Sequence, residues 1–248
     1  MKKMAWVAAA GGLMVLVACG GGGSGSGAGV AENVVPAIRI SGVVARGAAL
    51  ADAKVSARCA AGPVTTATSG SSGAYALEVG EGALPCVLEA VSADGNWTLH
   101  SVAISGAGAS PASPAVTAHI TPLTELLVAQ LAGTTPASFM AKASDRLLGA
   151  TITPANIANA QATVGSVLKL MGVNPAPITD VLAQPLVAAS AVQRGNAHDK
   201  VLDALAAAMV GAGARMADLV GLVTSRSRTL EYTGHTVLAS PLGDLGDL

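Results

Sequence analysis

The hydrophobic pattern of this chain changes its period once, near His119, and that change limits the folds that the chain can adopt. Between Ala37 and Ile120, apolar and polar residues alternate, and turns rich in glycine, proline and serine separate the runs. Such a pattern is typical of short strands with one buried face. After His119, three Thr-Pro pairs, at Thr121, Thr135 and Thr153, each open a stretch with helical spacing. A threonine cap followed by proline at the first helical position favours a helix start. The sequence therefore predicts an α+β chain in two parts, an N-terminal antiparallel β-sandwich followed by a small α-helical domain.

The expected elements can be placed one by one. In the first part, six or seven strands are expected, the last over 115–120, and Asp94-Gly95 is a signal for a tight hairpin. In the second part, helices are expected over 122–132, 136–148, 154–171 and 197–210, and the third should stop at Gly172. A hairpin is expected near the C-terminus, with strands over 229–232 and 236–239.

Four segments of the first part are similar to a known β-sandwich family. They are Ile40–Val44, Leu50–Val55, Thr65–Thr68 and Gly73–Leu77. Together they resemble the carboxypeptidase regulatory-like, transthyretin-like (Ig-like) β-sandwich, over about a third of the chain. In this pattern the glycine before Tyr75 supplies a turn and the tyrosine anchors the core. The resemblance implies a fold and no activity, because such modules occur in many unrelated proteins.

The first twenty residues carry an export signal. Lys2 and Lys3 precede an apolar run from Met4 to Val17, which ends at Leu16-Val17-Ala18-Cys19 before a run of glycines. This arrangement resembles the lipobox of bacterial lipoproteins, which implies cleavage before Cys19 and its acylation with membrane lipid. Two or more acyl chains anchor a protein stably. Because Gly20 and not aspartate follows the cysteine, the resemblance implies the outer membrane, with the periplasmic or surface face left open.

These signals divide the chain into five segments. We expect a lipoprotein signal peptide over 1–18, a Gly/Ser-rich tether over 19–35 and the β-sandwich domain over 36–120. The helical domain is expected over 121–225, and residues 226–248 should hold the hairpin and a flexible tail. The tether should let the folded part clear the lipid headgroups.

Composition limits the partners that the chain can have. The formal net charge is −1, so the chain has no basic footprint for nucleic acid. Besides Cys19 there are two cysteines, Cys59 and Cys86, and an even pair in an exported protein predicts a disulfide. The longest candidate for a second membrane segment, Ala204–Val223, is interrupted by Arg215 and Asp218, so no second segment is expected.

Candidates for chemistry are few. The chain has no Gly-x-Ser-x-Gly, Walker-type or His-Glu-x-x-His motif. The polar cluster His198-Asp199 with Asp203 suggests a weak cation or proton-transfer site, but a cap at Asn196 with Asp199 favoured by the helix dipole is the preferred interpretation. Glu125 is likewise assigned to the dipole of the first helix rather than to a general base.

Two further sets of residues are assigned no binding role. Trp97 is assigned to the core or its rim rather than to a ligand platform, and Arg226 with Arg228 forms only a small basic spot. No metal, cofactor or catalytic residue is expected.

The expected function follows from the anchor and from this lack of a catalytic set. It is that of a lipid-anchored envelope protein with a binding or structural role, whose partners are membrane lipid through Cys19 and an envelope or surface protein. The alternatives are an accessory subunit of an outer-membrane complex and an envelope hydrolase that uses His198 with Asp199 or Asp203.

Overall fold

The computed structural model describes residues 37–80, 82–105, 115–190 and 193–232, with side chains as far as Ser225. Within these residues, seven strands form two sheets and six helices follow them. The strands are β1 (Ala37–Val43), β2 (Lys54–Cys59), β3 (Thr65–Thr68), β4 (Ala74–Gly80), β5 (Cys86–Val91), β6 (Thr98–Ala103) and β7 (Ala115–Thr117). The helices are α1 (Pro122–Ala132), α2 (Pro136–Lys142), α3 (Asp145–Thr151), α4 (Pro154–Leu170), α5 (Ala197–Ala212) and α6 (Met216–Tyr232). The mixed α+β class is confirmed.

The two sheets are mostly antiparallel. One has the order β4-β1-β7 and the other β3-β2-β5-β6. The expected antiparallel pairing holds for the other strand pairs, but β7 pairs with β1 in parallel, with Ile40 opposite Val116. Parallel neighbours need a long connection rather than a hairpin, and β7 follows β1 in the chain only after five intervening strands.

The buried faces of both sheets contribute to one apolar cluster. Its largest members come from β1, β2, β4, β5 and β6 and include Ile40, Val55, Tyr75, Leu77, Leu88 and Leu99. The apolar residues whose alternation predicted the strands are therefore the residues that the sheets bury. This is clearest along β4, where every second residue is buried.

Gly73 and Tyr75 act as the sequence pattern predicts. Gly73 has a φ of 74°, in the left-handed region that favours glycine. The Tyr75 ring is buried, and its hydroxyl donates a hydrogen bond to the carbonyl of Ala118. The tyrosine thereby joins β4 to the segment that leads into α1.

Cys59 and Cys86 lie opposite each other where β2 pairs with β5. Their sulfur atoms are 1.95 Å apart, which is bonding distance. The disulfide partners expected from the sequence are therefore adjacent in the fold and join the end of one central strand to the start of the next.

All three Thr-Pro helix starts are confirmed. The hydroxyl oxygens of Thr121, Thr135 and Thr153 each accept a hydrogen bond from a backbone N–H three residues later, with proline in the first turn. The expected second helix is wrong as a single element, since α2 ends at Lys142 and α3 begins at Asp145. The Ser144 hydroxyl accepts a hydrogen bond from the N–H of Leu147 and so caps a new helix, which breaks the run.

The C-terminal hairpin is also corrected in part. Residues 229–232, expected as a strand, belong to the last turns of α6. Four residues carry too weak a local strand preference to end a helix that has already formed. The second strand of that hairpin, over 236–239, and the tail lie outside the described residues, as do the signal peptide, Cys19 and the tether.

Helix α1 covers the free edge of β6. The Glu125 carboxylate accepts a hydrogen bond from the backbone N–H of His100 at 2.6 Å, and the Thr124 hydroxyl donates to the His100 carbonyl at 2.7 Å. Helices α4 and α6 pack in turn against α1. The sheets and the helices therefore belong to one compact unit.

Across the described residues, no single helix has both the length and the apolar character needed to cross a membrane. Helix α5 and residues 216–225 pass that test only together, as a pair bent by 97°.

Candidate binding groove

An apolar groove of about 480 Å³ lies at the corner where α5 turns into α6. Helix α5 contributes its inner leucines and the exposed end of its C-terminal half, α6 contributes its first turn, and Pro122 of α1 closes one side. The lining residues are Arg46, Trp97, Pro122, Leu202, Leu205, Ala206, Met209, Val210, Ala214, Arg215, Met216 and Ala217. Among these residues there is no carboxylate, histidine, hydroxyl or thiol.

Local sequence signals make the corner. Helix α5 ends at Gly213, which has a φ of 62° and donates its N–H to carbonyls of the last turn. Arg215 follows two residues after Gly213, and its N–H donates a hydrogen bond of 2.8 Å to the Asp218 carboxylate. This bond lowers the pKa of Asp218. These two devices turn the chain sharply and leave apolar side chains on both sides of the bend.

The groove leaves large apolar side chains in contact with water. Val210 is 83% exposed and Trp97 is 37% exposed, whereas Leu202 and Leu205 at the floor are almost fully buried. Full burial of a valine-sized side chain contributes about 1.5–3 kcal/mol. A ligand or partner that covered Val210 and Trp97 would therefore gain several kcal/mol from these two side chains.

Arg46 and Trp97 form the polar end of the groove. The guanidinium carbon of Arg46 lies 3.3 Å from the centre of the Trp97 ring, in a cation–π contact. Partial burial lowers the pKa of Arg46, opposed by the charge of Asp94, but an arginine remains protonated at neutral pH. Trp97 is therefore not a core residue, and it lines the groove with the Arg46 cation stacked on its ring.

Of the expected polar cluster, Asp199 and Asp203 line one surface pocket, and His198 is not among the residues that line it. His198 is fully buried, and its Nδ1 lies 3.2 Å from the carbonyl oxygen of Gln184. Its ring meets that of His119 edge to face, with the ring centres 5.8 Å apart. Asp203 is exposed, whereas Asp199 is buried.

The predicted cap at Asn196 is confirmed, and Asp199 lies in the first turn of α5. The Asn196 side chain accepts a hydrogen bond from the N–H of Asp199 at 3.2 Å and caps α5. The Asp199 carboxylate in turn accepts one from the N–H of Ala189 at 3.1 Å. Burial raises the pKa of Asp199. The carboxylate thus holds the segment before α5 against the helix.

His119 and His198 join the sheet, α5 and the segment before α5. The Nδ1 atom of His119 accepts a hydrogen bond from the N–H of Val43 at 3.1 Å, so the proton of the neutral ring is on Nε2. Burial, with the neighbouring His198, lowers the pKa of His119 to about 4. Burial also lowers the pKa of His198. Both rings are therefore neutral at pH 7.

A second polar cluster, around His100, is not predicted by any pattern in the sequence. Its Nδ1 lies 2.9 Å from a Glu125 carboxylate oxygen, and its Nε2 lies 3.5 Å from one of Glu89. Glu89 is opposite His100 in the β5–β6 register, but Glu125 is remote in sequence, and no local signal connects the two. Because His100 is 2% exposed, its contacts with Glu125 secure the packing of α1 on β6, and Glu89 beside the other ring nitrogen is partly exposed.

The described residues hold no group of three or more His, Cys, Asp or Glu side chains placed to bind a metal ion. The side chains of Arg226 and Arg228 lie outside the described part. Comparison of this chain with protein-family models, with curated proteins and with solved structures found no match.

Proposed function

We propose that this chain is a lipid-anchored protein of the bacterial cell envelope with a non-catalytic binding role. In this proposal, acylated Cys19 holds the chain to the outer membrane, and the tether over 19–35 separates the anchor from the folded part. The folded part presents the groove between α5 and α6 to a ligand or a partner. The lipobox resemblance supports the anchor, and the groove supports the binding role.

The observation that carries the binding role is the composition of the groove. It is concave and lined mainly by aliphatic side chains, with an aromatic residue and cations at its rim, which is the usual composition of a ligand site. Among the residues that line it, none can serve as a nucleophile or a general acid–base group at neutral pH. Such a surface is suited to bind apolar groups and not to transform them.

The same proposal extends to the architecture. The shared core of the two sheets, the turn at Gly73 and the buried Tyr75 support a transthyretin-like β-sandwich as the base of the molecule. The helical part, which packs on the edge of β6 through Glu125 and Thr124, then forms the binding half. This division of roles leaves the sandwich as a scaffold, in line with its use in unrelated proteins.

A neutral apolar dye, N-phenyl-1-naphthylamine, tests the binding role. We expect the full chain carrying Cys19→Ser, which has no acyl chains to compete, to bind the dye with enhanced fluorescence. Val210→Glu should weaken binding by about tenfold or more, since it places a charge in an apolar site. Leu170→Glu is the matched control, because Leu170 is 64% exposed and also lies in the last turn of a helix, outside the groove.

Equal loss in both variants, or no loss in either, would contradict binding in the groove. If the protein instead turned over an ester, peptide or cell-wall substrate, and His198→Ala abolished the turnover at unchanged melting temperature, the hydrolase alternative would replace this proposal. Co-purification of an outer-membrane complex that Val210→Glu disrupts would identify the occupant of the groove as a protein subunit.

A further inference from the structure

We propose that the groove takes a single-chain amphiphile with a carboxylate head, the head held by Arg46 and the alkyl chain lying along α5. This inference rests on the proposed binding function and specifies its ligand. Its basis is the distribution of charge around the groove, the geometry of the Arg46–Trp97 contact and the shape of the apolar floor.

The charge of the lining is positive only. Arg46 and Arg215 are its charged residues, and no carboxylate lies among the residues that form it. Arg215 is already paired, since its Nε lies 3.6 Å from a carboxylate oxygen of Asp218. Arg46 has no such ion pair within the described part of the chain. The charge of Asp94 acts on Arg46, but the Asp94 carboxylate is hydrogen-bonded within its own loop.

Asp94 is held by its own loop. One of its carboxylate oxygens accepts hydrogen bonds from the Ser92 hydroxyl at 2.5 Å and from the N–H of Asn96 at 3.1 Å. The other accepts one from the Asn96 side chain at 2.8 Å. These bonds lower the pKa of Asp94 and fix the carboxylate within the turn between β5 and β6. The Arg46 guanidinium is thus left without a bound counter-ion at the mouth of the groove.

The stacking of Arg46 on Trp97 prepares it for an anion. A guanidinium that lies on an aromatic ring uses its face, so the N–H groups along its edge stay free to donate. Two parallel N–H donors match a carboxylate in a bidentate pair, which is shorter and stronger than an ordinary hydrogen bond. The indole reduces the freedom of the arginine side chain before binding, which lowers the entropic cost of forming that pair.

The apolar floor fits one alkyl chain. Leu202 and Leu205 form a buried base, and Met209 and Met216 flank it with side chains that adapt to irregular shapes. The volume of about 480 Å³ is in the range of small-ligand sites. The large apolar side chains exposed among the lining residues are Val210 and Trp97 alone, fewer than the Trp, Phe and Leu side chains that a helix at a membrane surface inserts. A single amphiphile therefore fits this groove better than a membrane surface.

Displacement of N-phenyl-1-naphthylamine by dodecanoate and by dodecan-1-ol, below their aggregation concentrations and at pH 7.5, tests the inference. We expect dodecanoate to displace the dye from the full chain carrying Cys19→Ser at lower concentration than dodecanol does. Arg46→Met, which keeps an apolar side chain and removes the charge, should weaken dodecanoate about tenfold or more and leave dodecanol unchanged. Arg146→Met, at an exposed position in α3, should change neither.

Dye binding without preference for dodecanoate, or a preference that Arg46→Met does not alter, would overturn the carboxylate assignment while leaving the binding function intact. If the dye did not bind, or if Val210→Glu did not weaken its binding, the proposed binding function itself would be contradicted.

A third experiment uses vesicles of phosphatidylglycerol. Binding to vesicles that depends on Arg46, with no displacement by monomeric dodecanoate, would overturn the inference in favour of a membrane surface. Melting temperatures within a few degrees of the parent chain establish that the variants are folded.

Discussion

Gly73 and Gly95 adopt nearly the same left-handed backbone, with φ of 74° and 71°, but their surroundings differ. A Cβ atom on Gly73 would lie 2.4 Å from the carbonyl oxygen of Val44, whereas one on Gly95 would meet no atom within 4 Å. The first glycine is therefore required by both its conformation and its packing, and the second by conformation alone.

Alanine substitutions should separate these two requirements. Gly95→Ala should lower the free energy of unfolding by about 1–2 kcal/mol, the cost of a left-handed non-glycine residue. Gly73→Ala should cost about 3 kcal/mol or more, since β1 and the turn before β4 must also move apart. Urea unfolding measures both values. An equal decrease in the free energy of unfolding for the two variants would show that the close approach of Gly73 to Val44 does not contribute to the cost of Gly73→Ala.

His119 makes the stability of the fold depend on pH. Its pKa of about 4 in the folded chain is below the ordinary value of 6.5, so the unfolded chain binds a proton more readily than the folded chain does. The contribution of neutral His119 to the free energy of unfolding should therefore be complete above pH 6.5. It should fall by about 3 kcal/mol as the pH decreases from 6.5 towards 4. His198, whose pKa is also lowered, adds to the fall.

The measurement is the free energy of unfolding between pH 7 and pH 4 in the parent chain and in His119→Gln. The variant should be less stable at pH 7, because it disturbs the hydrogen bond to Val43, but its profile should be flatter over this range. A parallel profile in the two proteins would contradict a buried neutral histidine at this position.

At the scale of elements, the fold depends on how α1 closes the sheet edge at β6. An open edge presents unpaired N–H and C=O groups, and covering it with a helix is one way to satisfy them. Here the Glu125 and Thr124 side chains bind both backbone groups of His100, and Thr121 and Thr124 complete a capping box at the start of the same helix. Glu125 thus does more than complement the helix dipole, which was its predicted role.

Glu125→Ala should leave the N–H of His100 buried and without an acceptor. We expect the free energy of unfolding to fall by about 2–4 kcal/mol, because this hydrogen bond is made to a charged group and the donor cannot reach water. Glu78→Ala is the control, since Glu78 is exposed on β4 opposite Arg39 and such pairs contribute at most about 1 kcal/mol. A loss of less than 1 kcal/mol for Glu125→Ala, measured by urea unfolding, would show that the edge of β6 is satisfied in another way.

Sequence reasoning succeeds for these elements where the signal is local. The Thr-Pro starts, the cap at Asn196, the turn at Gly73 and the alternation along β4 each depend on residues within a few positions of one another. It fails where two weak local preferences compete, as at Ser144, which starts a new helix, and at residues 229–232, which continue α6.

On the scale of the whole molecule, the parts that the sequence could not predict are contacts between distant segments. Arg46 and Trp97 are far apart in sequence, as are His119 and His198, and no spacing rule connects either pair. The groove likewise combines residues from α1, α5, α6 and three loops. Composition gave a reason to expect few binding sites, because aromatic residues are 2% of the chain, yet one of them lies at the groove.

The proposed anchor gives a prediction at this scale. Cys19→Ser should prevent acylation and leave an unlipidated precursor, since no other cysteine follows a short apolar run. Fractionation of cells that express the two proteins should find the parent chain with the outer membrane after a salt wash. Retention of Cys19→Ser in that fraction, with the same mass shift as the parent chain, would contradict the anchor. The matched variant Cys59→Ser should leave acylation unchanged.

Amide and indole chemical-shift mapping of the ¹⁵N-labelled full chain carrying Cys19→Ser, titrated with N-phenyl-1-naphthylamine, tests the binding role most directly. We predict shift changes at the second half of α5, at the first turn of α6 and at the Trp97 indole N–H, with the β1–β4 amides unchanged. Saturable changes centred on His119 and His198, or no saturable change at the corner of α5 and α6, would contradict a binding groove at this site.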